Sequence, residues 1–342
     1  MKKTIIFIAA AVCLMASGCA QKETTTTGSV AQEYLNLWLN TYHPEAVANA
    51  SGIYILEDEP GTGKEWDKDI TYTFLNTTIR TLNGVISATG HEAVAQQLGT
   101  YQAGNYYGPS VTITGNGYAG VEALLTGMRP GGTRTAVIPA WLLTTDRYST
   151  QKEYLEACSS ATSLIYTVTY SEQTDDITKW EQEKIRDYAI SLGGKLQPRS
   201  FNEETEEANI FFFFTSGAPK ADQDTIPSGK KVLLNYTGRL LNGQVFDTTI
   251  EKIAKDNGIY DSSRTYAPVT ITTSNTYSSI ALDGSTSLVD GFQGALSLMK
   301  YVGERSIAVF TSDLGYTSTG SGSKIPPYAP LCFDFEYVSL SE

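Results

Sequence analysis

The sequence predicts an α+β fold in two similar domains, each an antiparallel sheet wrapped around a short helix and each preceded by another helix. The first observation is a repeat, because Leu82-Asn83-Gly84 returns as Leu241-Asn242-Gly243, 159 positions later. The second is that β-branched and aromatic runs, bounded by Asn-Gly turns, fill both repeats. The third is an apolar stretch at helical spacing late in each repeat, at 120–128 and 291–299. A period this long indicates two domains rather than a solenoid.

Composition and turn signals divide the chain further. An amphipathic helix is expected before Pro44, and a second one over 175–192, which Gly193-Gly194 ends. The acidic run 203–207 reads as a solvated connector. The expected divisions are a signal peptide over 1–18, a tether over 19–28, a leading helix over 29–49, a first repeat over 50–171, a helical and acidic linker over 172–207, and a second repeat over 208–342.

The N-terminal segment reads as a processing signal. Two lysines precede an apolar run over 5–14, which is too short to cross a bilayer. The run ends at Ala16-Ser17-Gly18-Cys19, which resembles a bacterial lipobox with Ala where Leu is usual. The resemblance implies acyl chains on Cys19, and several chains on one residue form a stable membrane anchor. Ala20 after Cys19 implies a cell-envelope lipoprotein of the outer membrane, on its periplasmic or surface face; the alternative is an ordinary cleaved secretory signal.

Charge and composition exclude several classes of function. The net charge of −12 repels phosphate backbones, so we expect no nucleic-acid partner. Outside the N-terminal segment only Cys158 and Cys332 remain, and the two histidines, His43 and His91, lie far apart. Because no Cys/His cluster has metal-ligand spacing, the sequence predicts no metal, no cofactor and no His-based catalytic triad.

The second repeat carries a set of motifs in a specific order. They are Asn235-Tyr236-Thr237-Gly238, Phe246-Asp247-Thr248-Thr249, Leu288-Val289-Asp290-Gly291-Phe292, Val302-Gly303-Glu304-Arg305, Leu314-Gly315-Tyr316 and Ile325-Pro326-Pro327. This series resembles the FKBP-type peptidyl-prolyl cis-trans isomerase family over 208–342. Two departures are an insert between Thr249 and Pro268, where a short helix is expected, and Phe292 where many members have Trp.

The resemblance implies a pocket for the prolyl ring. Phe292 would form its floor, and Tyr236, Phe246 and Phe333 would form its walls. Apolar side chains would fill the spaces between these rings and bind the substrate. They are Val269, Leu288, Val289 and Ile325.

The resemblance also implies the polar groups of the site. The backbone N–H of Val289 would hold the carbonyl after proline, and the Tyr316 hydroxyl would donate to the carbonyl before it. Asp247 would be hydrogen-bonded to Tyr236. Because burying an unpaired carboxylate is costly, its place beside Phe246 indicates a functional group. Taken singly, each aromatic could be core and Asp247 a turn cap; their joint order favours the pocket.

The first repeat lacks these residues, so we interpret it as a degenerate FKBP-like domain. Ser87-Ala88 stands where the second repeat has Phe246-Asp247, and Val121 where it has Phe292. Trp141-Leu142-Leu143-Thr144 offers no tyrosine for the flap, and a helical stretch over 150–157 follows it. The degenerate domain would serve spacing, dimerisation or the holding of unfolded clients.

The chemistry of prolyl isomerisation suits a site of this kind. The barrier of about 18–20 kcal/mol arises from amide resonance, so no nucleophile or metal is needed. A dry apolar pocket favours the twisted, less polar amide over the planar one. We therefore expect an isomerase that binds proline-containing unfolded or extended clients and assists the folding of exported proteins. The alternatives are a non-catalytic chaperone or binding module, and a scaffold for a surface assembly.

Overall fold

The computed structural model describes residues 26–144, 150–157, 162–201, 210–216 and 225–341. The expected signal peptide and the lipidation site Cys19 lie outside the described residues, as does Cys158. Within the described ranges, no helix is long and apolar enough to cross a bilayer.

The first domain is built on a six-stranded antiparallel sheet. Its strands lie in the order β1-β5-β6-β2-β3, and β4 also pairs with β2. In chain order its elements are α1 (Thr27–Tyr42), β1 (Tyr54–Glu59), β2 (Tyr72–Thr81), β3 (Ile86–Thr89), α2 (Glu92–Gln97), β4 (Ser110–Ile113), α3 (Ala119–Leu125), β5 (Thr133–Ile138), α4 (Gln151–Ala157) and β6 (Leu164–Thr174).

The second domain is built on an eight-stranded sheet in the order β12-β11-β9-β14-β13-β8-β7, with β10 also on β9. Its elements are α5 (Ile177–Ser191), β7 (Gln197–Arg199), β8 (Ile210–Ser216), β9 (Lys231–Leu240), β10 (Val245–Thr248), α6 (Glu251–Asp256), β11 (Val269–Thr272), β12 (Ala281–Leu282), α7 (Asp290–Ser297), β13 (Arg305–Phe310) and β14 (Leu331–Leu340). The predicted α+β fold with two antiparallel sheets is confirmed.

The two sheets share one topology. The run β1-β5-β6-β2, with β3 and β4 on its last strand, has the same connections as β8-β13-β14-β9 with β10 and β11. The residue register also agrees, because Ile79 pairs with Ala88 as Gly238 pairs with Asp247. The expectation that Ala88 takes the place of Asp247 is therefore confirmed at the level of strand pairing.

Each sheet buries a short helix on one face. In the second domain, α7 places Phe292, Ala295 and Leu296 in the main core. In the first domain, α3 places Leu124 and Leu125 in the corresponding core. Both helices are the late apolar stretches that the sequence predicted.

The helix before each domain covers the opposite face of its sheet. Leu35 and Leu39 of α1 are buried in a cluster with residues of β5 and β6. Ile185 and Ala189 of α5 are buried in a cluster with residues of β13 and β14. In both helices the two apolar residues are four positions apart and so share one face. The predicted linker helix therefore lies against the second sheet, and its Trp180 ring stacks on Phe74 of the first domain, with centroids 4.3 Å apart.

The short helices expected in the sequence are present. The insert between Thr249 and Pro268 forms α6, with Ala254 fully buried. The stretch expected to be helical over 150–157 forms α4, and Thr26 beside α1 donates to the carbonyl of Leu155 in α4 at 2.7 Å. The leading helix ends at Tyr42, two residues before Pro44, because proline disfavours helical geometry in the residue preceding it.

Candidate active site

Four aromatic side chains from separate elements meet under the sheet of the second domain. Phe292 of α7 is only 5% exposed. Its ring meets Tyr236 of β9 edge to face at 5.5 Å, and Phe333 of β14 at 5.2 Å. Phe246 of β10 packs edge to face on Phe333 at 5.6 Å. These rings line a cavity of about 650 Å³.

A glycine in the middle of β9 makes room for two of these rings. A Cβ on Gly238 would lie 2.5 Å from Phe246 and 2.8 Å from Phe333, both well inside van der Waals contact. Glycine normally weakens a strand interior and often marks a close approach. The Asn235-Tyr236-Thr237-Gly238 motif therefore supplies a wall residue and also the space that the other walls occupy.

Asp247 is the carboxylate of the cavity, and it is doubly paired. The Tyr236 hydroxyl donates to its Oδ2 at 2.6 Å, and Arg264 pairs with its Oδ1. The guanidinium group of Arg264 also lies over the Tyr266 ring, 5.4 Å from its centroid. Burial, followed by the Asp247 charge, raises the pKa of Tyr236, so its hydroxyl stays a neutral donor. Asp247 thus has a partner on each carboxyl oxygen and is not left unpaired beside the apolar wall.

Arg264 was not identified by sequence reasoning. It lies within the insert between Thr249 and Pro268, which looked like a departure from the family pattern. Chemistry alone could have predicted that such a partner exists, because a carboxylate expected in an apolar wall needs a cationic or hydrogen-bonding group beside it. Position alone could not select this residue among the cations of the insert.

The loop 315–330 between β13 and β14 forms a flap over the cavity, to which it contributes Tyr316, Ser321, Lys324 and Ile325. Ser321 and Ile325 exchange two backbone hydrogen bonds, of 2.8 and 3.2 Å, which close the tip of the flap. Gly320 has φ +66°, and a Cβ there would lie 2.4 Å from the carbonyl oxygen of Ile325. Burial, with a smaller effect of Asp247, raises the pKa of Tyr316, whose hydroxyl therefore stays protonated.

The structure brings nine of the ten sequence-predicted pocket residues to this one cavity. Leu288 and Val289 lie at its edge, and Val289 is the N-cap of α7, so its N–H is outside the helical hydrogen-bond ladder. Val269 is the exception, because it packs against the core from β11 without lining the cavity. Four lining residues were not predicted: Leu282, Ser287, Ser321 and Lys324.

The comparisons with known proteins concern this domain. A family model described as FKBP-type peptidyl-prolyl cis-trans isomerase matches residues 223–338. An FK506-binding protein of Neisseria meningitidis is 29% identical over 114 residues, which cover 33% of this chain and 83% of that protein. The "Probable FKBP-type peptidyl-prolyl cis-trans isomerase" of Haemophilus influenzae is 31% identical over 167 residues, 48% of this chain and 57% of that protein.

A third relative is the macrophage infectivity potentiator of Trypanosoma cruzi. It is 32% identical over 112 residues, which cover 33% of this chain and 44% of that protein. The chain thus spans about half the length of this relative and of the Haemophilus protein.

A sheet wrapped on one helix, with an aromatic cavity and a flap, defines the second domain as a prolyl isomerase fold. The family match and the relatives agree with the motif resemblance. Residues 223–338 are an FKBP-type peptidyl-prolyl cis-trans isomerase domain.

Proposed function

We propose that the whole chain isomerises X-Pro bonds in unfolded or extended clients at the cell envelope, with the cavity under the flap as its active site. One observation carries the proposal: a buried phenylalanine floor, surrounded by aromatic walls, faces a single paired carboxylate. The prolyl ring is apolar and flat enough to lie on Phe292.

Rate acceleration would come from preferring the twisted amide. Twisting localises the nitrogen lone pair and lowers the charge separation of the planar amide, so an apolar cavity stabilises the twisted form more. Each ~1.4 kcal/mol of this preference gives about tenfold in rate. The aromatic walls also exclude water, which would otherwise favour the planar, more polar state.

Three polar groups would orient the substrate. The N–H of Val289 would donate to the carbonyl after proline, and the Tyr316 hydroxyl to the carbonyl before it. Asp247 is held by Tyr236 and Arg264, so its field is fixed in direction before the substrate arrives. Preorganised dipoles of this kind need no rearrangement during the reaction, which is what makes them effective.

Phe292 gives the sharpest test of this site. In the full chain, Phe292→Leu should lower kcat/KM for a proline tetrapeptide by roughly ten- to a thousandfold, equivalent to about 1.4–4 kcal/mol. Phe292→Trp keeps a flat floor and should retain turnover. Phe212→Leu is the matched control, because Phe212 belongs to the same core and is 3% exposed, but does not line the cavity.

The assay should pair peptide turnover with refolding of a protein limited by prolyl isomerisation, whose uncatalysed phase takes tens of seconds. Retained turnover in a folded Phe292→Leu chain would remove the cavity from the mechanism. A wild-type chain that slows aggregation of a client but turns over no peptide would favour the non-catalytic chaperone instead.

We also propose attachment to the membrane through acyl chains on Cys19. The supporting evidence is the Ala16-Ser17-Gly18-Cys19 pattern after a short apolar run. Cells fed labelled palmitate should label the wild-type chain and not Cys19→Ala, and the wild-type chain should fractionate with the outer membrane. Equal label in the two chains would contradict the assignment.

A further inference from the structure

A loop of the first domain reaches across to the flap of the second. This loop, residues 101–109, follows α2 and is here called the clasp loop. The N–H of Tyr106 donates to the carbonyl of Ser323 at 2.7 Å. The Ser323 hydroxyl donates to Oδ1 of Asn105 at 2.6 Å. A third contact runs beside the flap, where Gln244 donates to the carbonyl of Gly104 at 3.1 Å.

The clasp loop is packed against the second domain as well as hydrogen-bonded to it. The Tyr106 side chain lies against the core of the second domain, and its hydroxyl turns back to the carbonyl of Pro109 at 2.9 Å. Ala103 lies so near Gly258 that a Cβ on Gly258 would come within 2.9 Å of it. The contact therefore combines directional bonds with close apolar packing.

The second domain contains a loop that corresponds to the clasp loop. Both loops contain a stacked tyrosine pair six residues apart: Tyr101 with Tyr107, and Tyr260 with Tyr266, at 5.3 and 5.4 Å. The hydroxyl of the second tyrosine in each pair accepts a hydrogen bond from a backbone N–H of the loop. The donor is Gln102 in the first loop, at 3.2 Å, and Asp261 in the second, at 3.0 Å. The loops are thus the same structure, 159 positions apart.

This correspondence places Asn105 where the second domain has Arg264. Arg264 turns inward and pairs with Asp247 of its own domain. Asn105 has no such carboxylate to meet, because Ala88 stands in that place. It binds instead the flap of the other domain, through Ser323.

The bound residue is next to the working part of the flap. Lys324 and Ile325 line the cavity, and Lys324 donates to the carbonyl of Phe246 at 3.5 Å. A loop that must become ordered when substrate binds loses conformational entropy at that step. A loop already held by outside contacts avoids part of this cost.

We propose that Asn105 and Tyr106 are positioning residues for prolyl isomerisation: through Ser323 they hold the flap in place over the cavity. This inference rests on the proposed function of the second domain. It gives the degenerate domain a role in binding at the intact site. Because the flap is ordered before substrate arrives, the benefit should appear in KM more than in kcat.

The experiment uses the full chain and variants of one side chain. Asn105→Ala removes the acceptor for Ser323, whereas Asn105→Asp keeps an oxygen in that place. Gln102→Ala is the matched control, because Gln102 is an exposed residue of the same loop that contributes only backbone hydrogen bonds to it. We expect Asn105→Ala to raise KM for a proline tetrapeptide about two- to tenfold, the range that loss of one neutral hydrogen bond gives. Its kcat should stay within about twofold, and Asn105→Asp and Gln102→Ala should match the wild type.

Hydrogen exchange followed by mass spectrometry gives a readout that needs no turnover. Peptides covering 316–325 should exchange faster in Asn105→Ala than in the wild type, while peptides of β9 and β14 stay protected. Adding Ser323→Ala to Asn105→Ala should change neither KM nor exchange further, because the two residues share one bond.

The possible failures are distinguishable. Unchanged flap exchange in a folded Asn105→Ala chain would overturn the clasp. Faster exchange with unchanged KM would overturn its role in the reaction. A wild-type chain without turnover would overturn the proposed function, and the exchange comparison would then decide on the clasp alone.

Discussion

The two domains share one strand register and differ in what lies between the sheet and its helix. In the second domain Gly238 leaves the space that Phe246 and Phe333 fill around a cavity. In the first domain Ile79 takes the place of Gly238, and its side chain packs against the core. Seven positions in and around the cavity carry different residues in the two domains. In the second domain they are Tyr236, Gly238, Phe246, Asp247, Phe292, Tyr316 and Phe333. In the same order, the first domain has Thr77, Ile79, Ser87, Ala88, Val121, Thr144 and Tyr166.

The difference shows that strand pairing and the cavity are separate properties. The alternation of apolar residues and the turns set the register, and many different side chains satisfy that pattern. A cavity also requires that one position carry no side chain and that its neighbours be aromatic. Val121 and Tyr166 belong to the packed core of the first domain or lie against it, so that domain gains ordinary packing where the second keeps a binding space.

The largest expected effect comes from replacing Gly238 of the second domain with isoleucine, the residue that Ile79 provides at the corresponding position of the first domain. Gly238→Ile would force its Cβ against Phe246, so both walls must shift and the cavity closes. We expect kcat/KM to fall at least about a hundredfold, equivalent to roughly 3 kcal/mol, in the tetrapeptide assay. Gly238→Ala should give a smaller loss, and circular dichroism should show that both chains fold. Unimpaired turnover in Gly238→Ile would mean that this glycine does not shape the site.

A smaller loss is expected when the carboxylate is neutralised. Asp247→Asn keeps the size of the side chain but removes its charge and its pairing with Arg264. We expect kcat/KM to fall about ten- to a hundredfold, with a lesser effect from Tyr236→Phe, which leaves Arg264 in place. Equal rates for the wild type and a folded Asp247→Asn chain would exclude an electrostatic role.

The two leading helices differ in one buried carboxyl group, which predicts a pH effect on stability. In α5, Glu181 lies four residues before the buried Ile185 and is only 2% exposed. In α1, the residue four positions before the buried Leu35 is Ala31. Glu181 accepts from the Ser312 hydroxyl at 2.7 Å and from the Ser312 N–H. Burial raises the pKa of Glu181 from 4.5 to about 7, against these two bonds.

The sign follows from the raised pKa. The folded protein holds the Glu181 proton more tightly than the unfolded chain does, so stability is greatest below about pH 4.5 and falls as pH rises to about 7. The loss is on the order of 3 kcal/mol. Urea unfolding of wild type and Glu181→Gln at several pH values should show this slope in the wild type and its absence in the variant. Parallel slopes would assign the pH dependence to other groups.

The smallest expected effect is the outcome of a partial graft into the first domain. Ser87→Phe with Ala88→Asp, in a chain whose second site is closed by Gly238→Ile, should leave turnover near the uncatalysed rate. Val121 would still be a small floor, and Ile79 would still fill the space that the new ring needs. Measurable catalysis in this chain would show that fewer residues suffice than the comparison implies.

Sequence reasoning reached the fold and most of the site because both are carried by local patterns. Motif order placed Tyr236, Asp247 and Phe292 together, although they lie far apart in sequence. The sequence did not predict the roles of Arg264 and the clasp loop. The partner of Arg264 depends on the path of a loop, and the partner of the clasp loop depends on how the two domains are placed relative to each other. The amphipathic pattern of α5 predicted a helix, but periodicity cannot say which sheet a helix covers.

The root and the tip of the flap are bound by different parts of the chain. Ser312, at its root, is bound by Glu181 of the helix that leaves the first domain. Ser323, at its tip, is bound by Asn105 of the first domain itself. The root of the flap is therefore held within its own domain, and its tip is held by the other domain. A mechanical force that displaces the first domain would act first on the Asn105–Ser323 contact, and so would reach the mouth of the cavity without any ligand.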